Sequence, residues 1–179
     1  VRITGGTLAG RTVAVPPGEI RPAMDRMRES LFSILEPLAG CSFLDLFCGS
    51  GIMSLEALSR GASSATLVEK DRGKRRVLER NLALAPVTPR IVFAPAERFV
   101  QRERTSYRII YIDPPFAYGY KMDLLSRICG SALLEEQSLV LMHLPAPEPV
   151  ENRFTHLTLR DERRYGGSKV VIYQAIALS

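Results

Sequence analysis

The 179-residue chain is 46% hydrophobic and 24% charged, a composition that suits one compact domain with a sizeable core and leaves no length for a separate recognition domain. No apolar run approaches the roughly 18 residues of a membrane helix, and the opening, with Arg2 and polar Thr4, lacks the apolar stretch of a secretory leader; a cytoplasmic protein with no membrane partner is expected. Net charge is +5 with a pI near 9.4, and the excess is clustered: Arg21, Arg26 and Arg28; Lys70, Arg72, Lys74, Arg75 and Arg76; Arg98, Arg102, Arg104 and Arg108; Arg160, Arg163 and Arg164. Any one cluster can be a solvated helix face, but the four together favour a polyanionic partner.

Cys41, Cys48 and Cys129 have neither zinc-site spacing nor a disulfide framework, so they read as small apolar residues in a reducing compartment. His143 and His156 stand alone on strand-like runs and read as hydrogen-bonded structural histidines, not metal ligands. No metal is expected.

In chain order, Arg2-Ile3-Thr4-Gly5-Gly6 and Gly10-Arg11-Thr12-Val13-Ala14-Val15 predict a short β-hairpin, and Pro16-Pro17 a turn. Met24, Met27, Leu31, Ile34 and Leu35 lie on one face of a helix that ends near Pro37 and Gly40, with Arg26, Arg28 and Glu29 on the other face. Strands are predicted at 43–47, 65–69, 91–94, 109–113 and 139–144, with helical patterns between them. The helix after Asp71 carries Val77, Leu78, Leu82 and Ala85 on one side and its basic residues on the other. This alternation predicts an α/β fold of Rossmann-like, doubly wound type, with right-handed crossovers, helices on both faces and a ligand crevice at the carboxyl ends of the strands. After Pro145-Ala146-Pro147-Glu148-Pro149, two longer β runs at 154–165 and 169–176, joined by Gly166-Gly167, predict an antiparallel hairpin. The sheet is thus mostly parallel and seven-stranded. Residues 1–40 are expected to form an extension packed on a core of 41–179.

Three stretches carry chemistry. Asp45-Leu46-Phe47-Cys48-Gly49-Ser50-Gly51 ends the first strand and opens an apolar helix; its glycines let a ligand approach the backbone. The third glycine of a dinucleotide fingerprint is absent, since position 54 is Ser. Glu69 ends the second strand, where an acid can accept hydrogen bonds from both hydroxyls of a ribose, which suits an adenosine-containing cofactor without saying which. Asp113-Pro114-Pro115-Phe116 follows the apolar run Ile109 to Ile112. Its prolines fix their own φ and donate no backbone hydrogen bond, leaving a rigid corner with a carboxylate, carbonyl acceptors and an aromatic face. That set can hold a planar, amine-bearing ring by edge and face. A strand-terminating turn with a buried Phe would be written in the same letters.

The combination resembles the class I methyltransferases that use S-adenosylmethionine and methylate exocyclic amines of bases. Along nearly the whole chain, Ile3-Thr4-Gly5-Gly6, Gly10-Arg11, Arg21-Pro22, Asp25-Arg26, Arg28 to Phe32, Asp45 to Gly51, Leu55 to Ala62, Val68-Glu69-Lys70-Asp71, Asn81-Leu82 and Tyr165-Gly166 are similar to the 16S rRNA (guanine(966)-N(2))-methyltransferase family. The resemblance implies that Asp45, Phe47, Gly49, Ser50, Gly51, Glu69 and Lys70, with Pro95, Ala96 and Glu97, hold S-adenosylmethionine. It implies that Asp113, Pro114, Pro115 and Phe116 hold the target guanine, and that Arg11, Arg21, Arg26 and Arg28 meet 16S ribosomal RNA, within an assembled or assembling small subunit. Two positions depart from the family pattern: Ala23 stands where Thr is usual, and Pro95 where an Asp or Asn usually binds the adenine amino group, which leaves adenine to the Ala96 backbone or Glu97. Rival readings are an adenine-N6 methyltransferase on nucleic acid and a non-catalytic RNA-binding assembly factor. The former uses a similar corner; the latter leaves Asp45, Glu69 and Asp113 without a role.

Overall fold

Seven strands form one sheet in the order β3-β2-β1-β4-β5-β7-β6: β1 (Ser42–Leu46), β2 (Ser64–Glu69), β3 (Arg90–Phe93), β4 (Tyr107–Ile112), β5 (Leu134–Pro145), β6 (Leu157–Tyr165) and β7 (Ser168–Ala175). Five α-helices accompany them among the described residues: α1 (Met24–Leu35), α2 (Ile52–Ser59), α3 (Arg75–Leu82), α4 (Ala96–Arg102) and α5 (Lys121–Cys129). The computed structural model describes residues 1–16 and 24–178, and the chain divides into two compact units, Val1–Ala94 and Pro95–Ser179. The predicted mixed, mostly parallel seven-stranded sheet is the observed one. No helix among the described residues is long and apolar enough to cross a membrane.

In the first unit, β1 pairs in parallel with β2, and β2 with β3. The inner strands are buried on both faces, as parallel strands between covering layers must be, hence the near-continuous Phe43-Leu44 and Leu67-Val68 runs. Helix α2 is buried along its whole length, which accounts for its apolar sequence lacking a polar face. Helix α3 is amphipathic: Leu78, Asn81 and Leu82 are buried while its arginines face outward.

The N-terminal hairpin is smaller than expected. It closes through one bridge, Arg2 to Thr12, with Ile3 N–H donating to the Arg11 carbonyl and Gly10 N–H to the Ile3 carbonyl. The tip instead docks on α2: Thr7 N–H reaches the Ser59 carbonyl (2.8 Å) and Leu8 N–H the Ser59 hydroxyl (2.8 Å). The approach is so close that a Cβ on Gly6, whose φ is +77°, would lie 1.9 Å from the Ser59 carbonyl oxygen.

Arg28 departs from its expected place on an RNA-facing surface. It is 0% exposed, and its guanidinium donates to Glu56 Oε1 (3.3 Å), to Asp25 and to the Arg2 carbonyl (2.6 Å). Glu56, also fully buried, accepts in addition from Thr4 N–H (2.9 Å), Gly5 N–H (3.0 Å) and Arg60 Nε (3.0 Å). A buried carboxylate so saturated is a structural hub, and Arg28 belongs to it. The helical period carries the signal: Arg28 lies four residues after Met24 and three before Leu31, inside the apolar stripe.

In the second unit, β4 and β5 are parallel, and β7 runs antiparallel to both β5 and β6. The predicted hairpin forms, with Tyr165 opposite Ser168 and Gly166 at φ +62° making the turn. β5 begins at Leu134, five residues earlier than the apolar run suggests.

Candidate methyl-transfer site

The first unit holds the glycine turn and the ribose-type acid. Past β1 the backbone takes three positive φ values in quick succession, Phe47 (+63°), Gly49 (+53°) and Gly51 (+81°). Glycine tolerates this region and Phe does not, so Phe47 is a strained residue of the kind found where a chain is shaped around a ligand. Gly51 is required twice over: a Cβ there would meet Leu78 Cδ1 at 2.9 Å. Asp45 is buried at the end of β1, where its Oδ2 accepts from the Ser54 hydroxyl (2.7 Å). Position 54, where the dinucleotide fingerprint would have glycine, therefore orients the acid of the turn. Ser50 is buried, and its carbonyl accepts from Asn81 Nδ2 (2.9 Å).

Glu69 ends β2 facing this turn. Its Oε1 accepts from Gly49 N–H (3.3 Å) and its Oε2 from Asp71 N–H (2.8 Å), while Lys74 Nζ lies 3.7 Å from Oε1. Backbone donors thus set the carboxylate plane. Asp45, Gly49, Ser50, Gly51 and Glu69 are brought together as expected; Lys70, next along, is exposed. Cys48, buried between Asp45 and Glu69, has its thiol pushed well up, first by burial and then by the two carboxylates. It is a neutral filler under the turn.

Asn81, in sequence no more than part of a motif, has an amide that spans the unit. Nδ2 donates to the Ala14 carbonyl (2.8 Å) as well as to Ser50, and Oδ1 accepts from Ala14 N–H (3.0 Å). Arg11 and Arg26 are exposed; Arg21 and Ala23 lie outside the described residues.

The second unit holds the Asp113 corner. Asp113 sits just past β4, with its Oδ1 3.0 Å from His143 Nδ1 and its Oδ2 3.5 Å from the Tyr111 hydroxyl. Pro114 is buried and Pro115 exposed. Phe116 is 44% exposed, so the alternative of a turn burying its Phe does not hold: the ring stands in solvent. The segment after it is anchored by Lys121, a buried residue whose Nζ donates to the Phe116 carbonyl (2.9 Å), the Tyr118 carbonyl (2.7 Å) and Glu148 Oε1 (3.0 Å). All three ammonium protons are used, as burial of a lysine demands. No sequence signal marks Lys121, because a lone lysine opening a helix reads as solvent-facing. His143 is a hydrogen-bonded histidine as expected, but its partner is the acid of the corner. Only the register, which sets Met142 of β5 beside Ile112 of β4, brings these two residues level.

Pro95, Ala96 and Glu97 open α4, with Pro95 as the residue before its first turn. The Pro95 carbonyl accepts from Phe99 N–H (3.1 Å) and the Glu97 carboxylate from the Tyr118 hydroxyl, a bond that, after burial, helps hold the Tyr118 phenol well above its ordinary pKa. Among the described residues no cluster of His, Cys, Asp or Glu could hold a metal ion.

Known proteins resemble the chain along almost all of its length. Over 97% of that length it is 35% identical to the Ribosomal RNA small subunit methyltransferase D of Escherichia coli K12, covering 89% of that protein. The solved structure of yhhF from Escherichia coli superposes with a TM-score of 0.88 at 34% identity, covering 99% of both chains. The structure of SMU.776 complexed with SAH, at 18% identity and a TM-score of 0.69 over 87% of this chain and 50% of that one, shares the fold. Residues 1–174 match the family model described as Conserved hypothetical protein 95, and with that match and these relatives the chain belongs to the family of ribosomal RNA small subunit methyltransferase D.

Proposed function

We propose that the chain transfers a methyl group from S-adenosylmethionine to the exocyclic N2 of one guanine in 16S ribosomal RNA. The observation that carries the reading is the corner itself: a carboxylate held in place at Asp113 beside a solvent-exposed aromatic ring at Phe116, in a chain whose family relatives are named as methyltransferases of small-subunit rRNA.

The residues of the first unit suit the cofactor. The Glu69 carboxylate, fixed by Gly49 and Asp71, accepts hydrogen bonds from the ribose hydroxyls. The turn at Gly49 and Gly51, whose positive φ glycine takes up readily, offers backbone groups to the methionine part, and the oriented Asp45 carboxylate suits its ammonium group. With the Pro95 carbonyl engaged by Phe99 and one oxygen of Glu97 by Tyr118, adenine recognition is left to the backbone at Ala96 or to the second Glu97 oxygen. When bound, the cofactor supplies an electrophilic methyl on a sulfonium. The protein's task is then to align and prepare the nitrogen. Asp113 accepts one amine proton in a hydrogen bond and the Pro114 carbonyl the other, which favours a tetrahedral nitrogen with its lone pair directed outward. Phe116 stacks on the base, an interaction of about 1–3 kcal/mol. A base paired in a helix cannot enter such a corner, so the guanine is flipped out or lies in an exposed loop. Residues 1–40 serve as the RNA-facing extension through Arg11 and Arg26, with Arg28 supporting it from inside.

The test is transfer of a labelled methyl group to unmethylated small subunits, to free 16S rRNA and to DNA, followed by mapping of the modified base. Label on one guanine N2 of the assembled particle supports the reading. Label on adenine N6 or on DNA, or no transfer to any substrate, overturns it.

A further inference from the structure

We propose that His143 is a positioning residue for the methyl-accepting base, acting through Asp113; the inference rests on Asp113 being the group that holds the target amine. The imidazole is 2% exposed and lies within β5. Its Nδ1 is 3.0 Å from Asp113 Oδ1. Its ring also meets Phe116, edge to face, at a centroid separation of 5.5 Å and an interplanar angle of 66°. One buried ring thus touches both side chains expected to grip the base, the carboxylate that takes its edge and the aromatic that takes its face.

The hydrogen bonding assigns the tautomer. A carboxylate can only accept, so the proton between the two residues belongs to Nδ1. Nε2 is buried and has no hydrogen-bond partner among the described residues. A proton there would be an unsatisfied buried donor, whereas a bare nitrogen costs less in an apolar setting. The ring therefore presents Nδ1–H as a donor aimed at Oδ1. The backbone supplies the rigidity: Met142 is flanked by Ile112 on β4 and Val171 on β7, and His143 is paired with Val170. A residue held on an interior strand has little freedom to yield. Asp113 lies just past the end of its strand, where the bond at Oδ1 from the His143 ring and the longer one at Oδ2 from the Tyr111 hydroxyl (3.5 Å) set the plane of its carboxylate. Displacements of about an ångström at a reacting group cost on the order of a hundredfold in rate, so loss of the donor at Oδ1 is read directly in kcat.

The test separates the hydrogen bond from the volume of the ring. Asn at this position can place its amide N–H where Nδ1–H stands, and Leu fills similar space without a donor. H143L is expected to lower kcat at least tenfold with the dissociation constant for S-adenosylmethionine unchanged, and H143N to restore kcat to within about threefold of the native rate. Equal rates for H143L and H143N, whether both high or both low, would overturn the proposal, because the donor would then be irrelevant. Nitrogen-15 NMR of the native protein gives a second reading that needs no variant: Nδ1 must carry a proton, and a bare Nδ1 with the proton on Nε2 alone would overturn the assignment. D113A run alongside distinguishes the two levels, since alanine leaves no side-chain acceptor for the amine. Native-like transfer by D113A would remove the amine-holding role of Asp113 itself, whereas an inactive D113A together with a fully active H143L would remove only the role of His143.

Discussion

Replacement of Glu56 by Gln tests the hub beneath the N-terminal segment. The substitution keeps shape and volume but removes the charge that two guanidiniums share, Arg28 at 3.3 Å and Arg60 at 3.0 Å. Arg60 retains Glu36 as a partner near the surface, and Arg28 retains the half-exposed Asp25, so the main loss falls on a fully buried Arg28. Breaking a buried pair from one side costs about 3–5 kcal/mol, because the remaining charge is left in a poorly polarisable interior. For a chain of this length each kcal/mol lowers Tm by roughly 2–4 °C, giving a fall of about 6–20 °C. Urea unfolding should show the loss as a lower midpoint with an unchanged slope. The double variant R28M/E56Q removes the orphaned charge as well and should recover a large part of the loss, since an apolar replacement of a whole buried pair is often close to neutral. A loss below about 1 kcal/mol for E56Q, or a double variant worse than the sum of the singles, would refute the reasoning.

Glu69→Ala should weaken S-adenosylmethionine binding at least tenfold to a hundredfold in calorimetry, the loss of one hydrogen bond to a charged group being about 1.5–3 kcal/mol, and should also lower the unfolding midpoint, because Gly49 N–H and Asp71 N–H lose their acceptor. Gly6→Ala and Gly10→Ala share a positive φ but differ in surroundings, since a Cβ on Gly10 meets nothing within 4 Å. The Gly10 variant should lose about 1–2 kcal/mol from the backbone alone and the Gly6 variant roughly 3 kcal/mol or more in the same urea assay. Lys121→Met should cut kcat on the order of tenfold to a hundredfold by releasing the carbonyls of Phe116 and Tyr118, while cofactor affinity, measured by titration, stays native.

The strands and their order of appearance are legible because apolar runs of four to six residues closed by Gly, Glu or Asp fit buried parallel strands and little else. The glycine turn and Glu69 are legible on the same ground: strand-end residues need no long-range information to be placed. What stays hidden depends on partners far apart in the chain. His143 meets Asp113 only through the register of β4 and β5. Lys121 is buried because three acceptors converge on it, two from the turn beside it and one from Glu148. Arg28 lies on the apolar face by its place in the helical period, yet an arginine in a basic cluster invites a surface reading. Glu56 draws no notice inside an apolar helix, although a single acid there has to be paired.

The amide of Asn81 has a consequence for the order in which the chain folds. It holds the backbone of Ala14 at both polar groups and the Ser50 carbonyl in the glycine turn, so three segments distant in sequence close on one side chain. Neither the turn nor α3 can reach its final hydrogen bonding until the segment at Ala14 has come back to meet them, a long loop closure whose entropic cost precedes its reward. Without that segment the Asn81 amide would keep the Ser50 carbonyl and lose both of its bonds to Ala14, so the brace of the glycine turn depends on residues far from it in the chain.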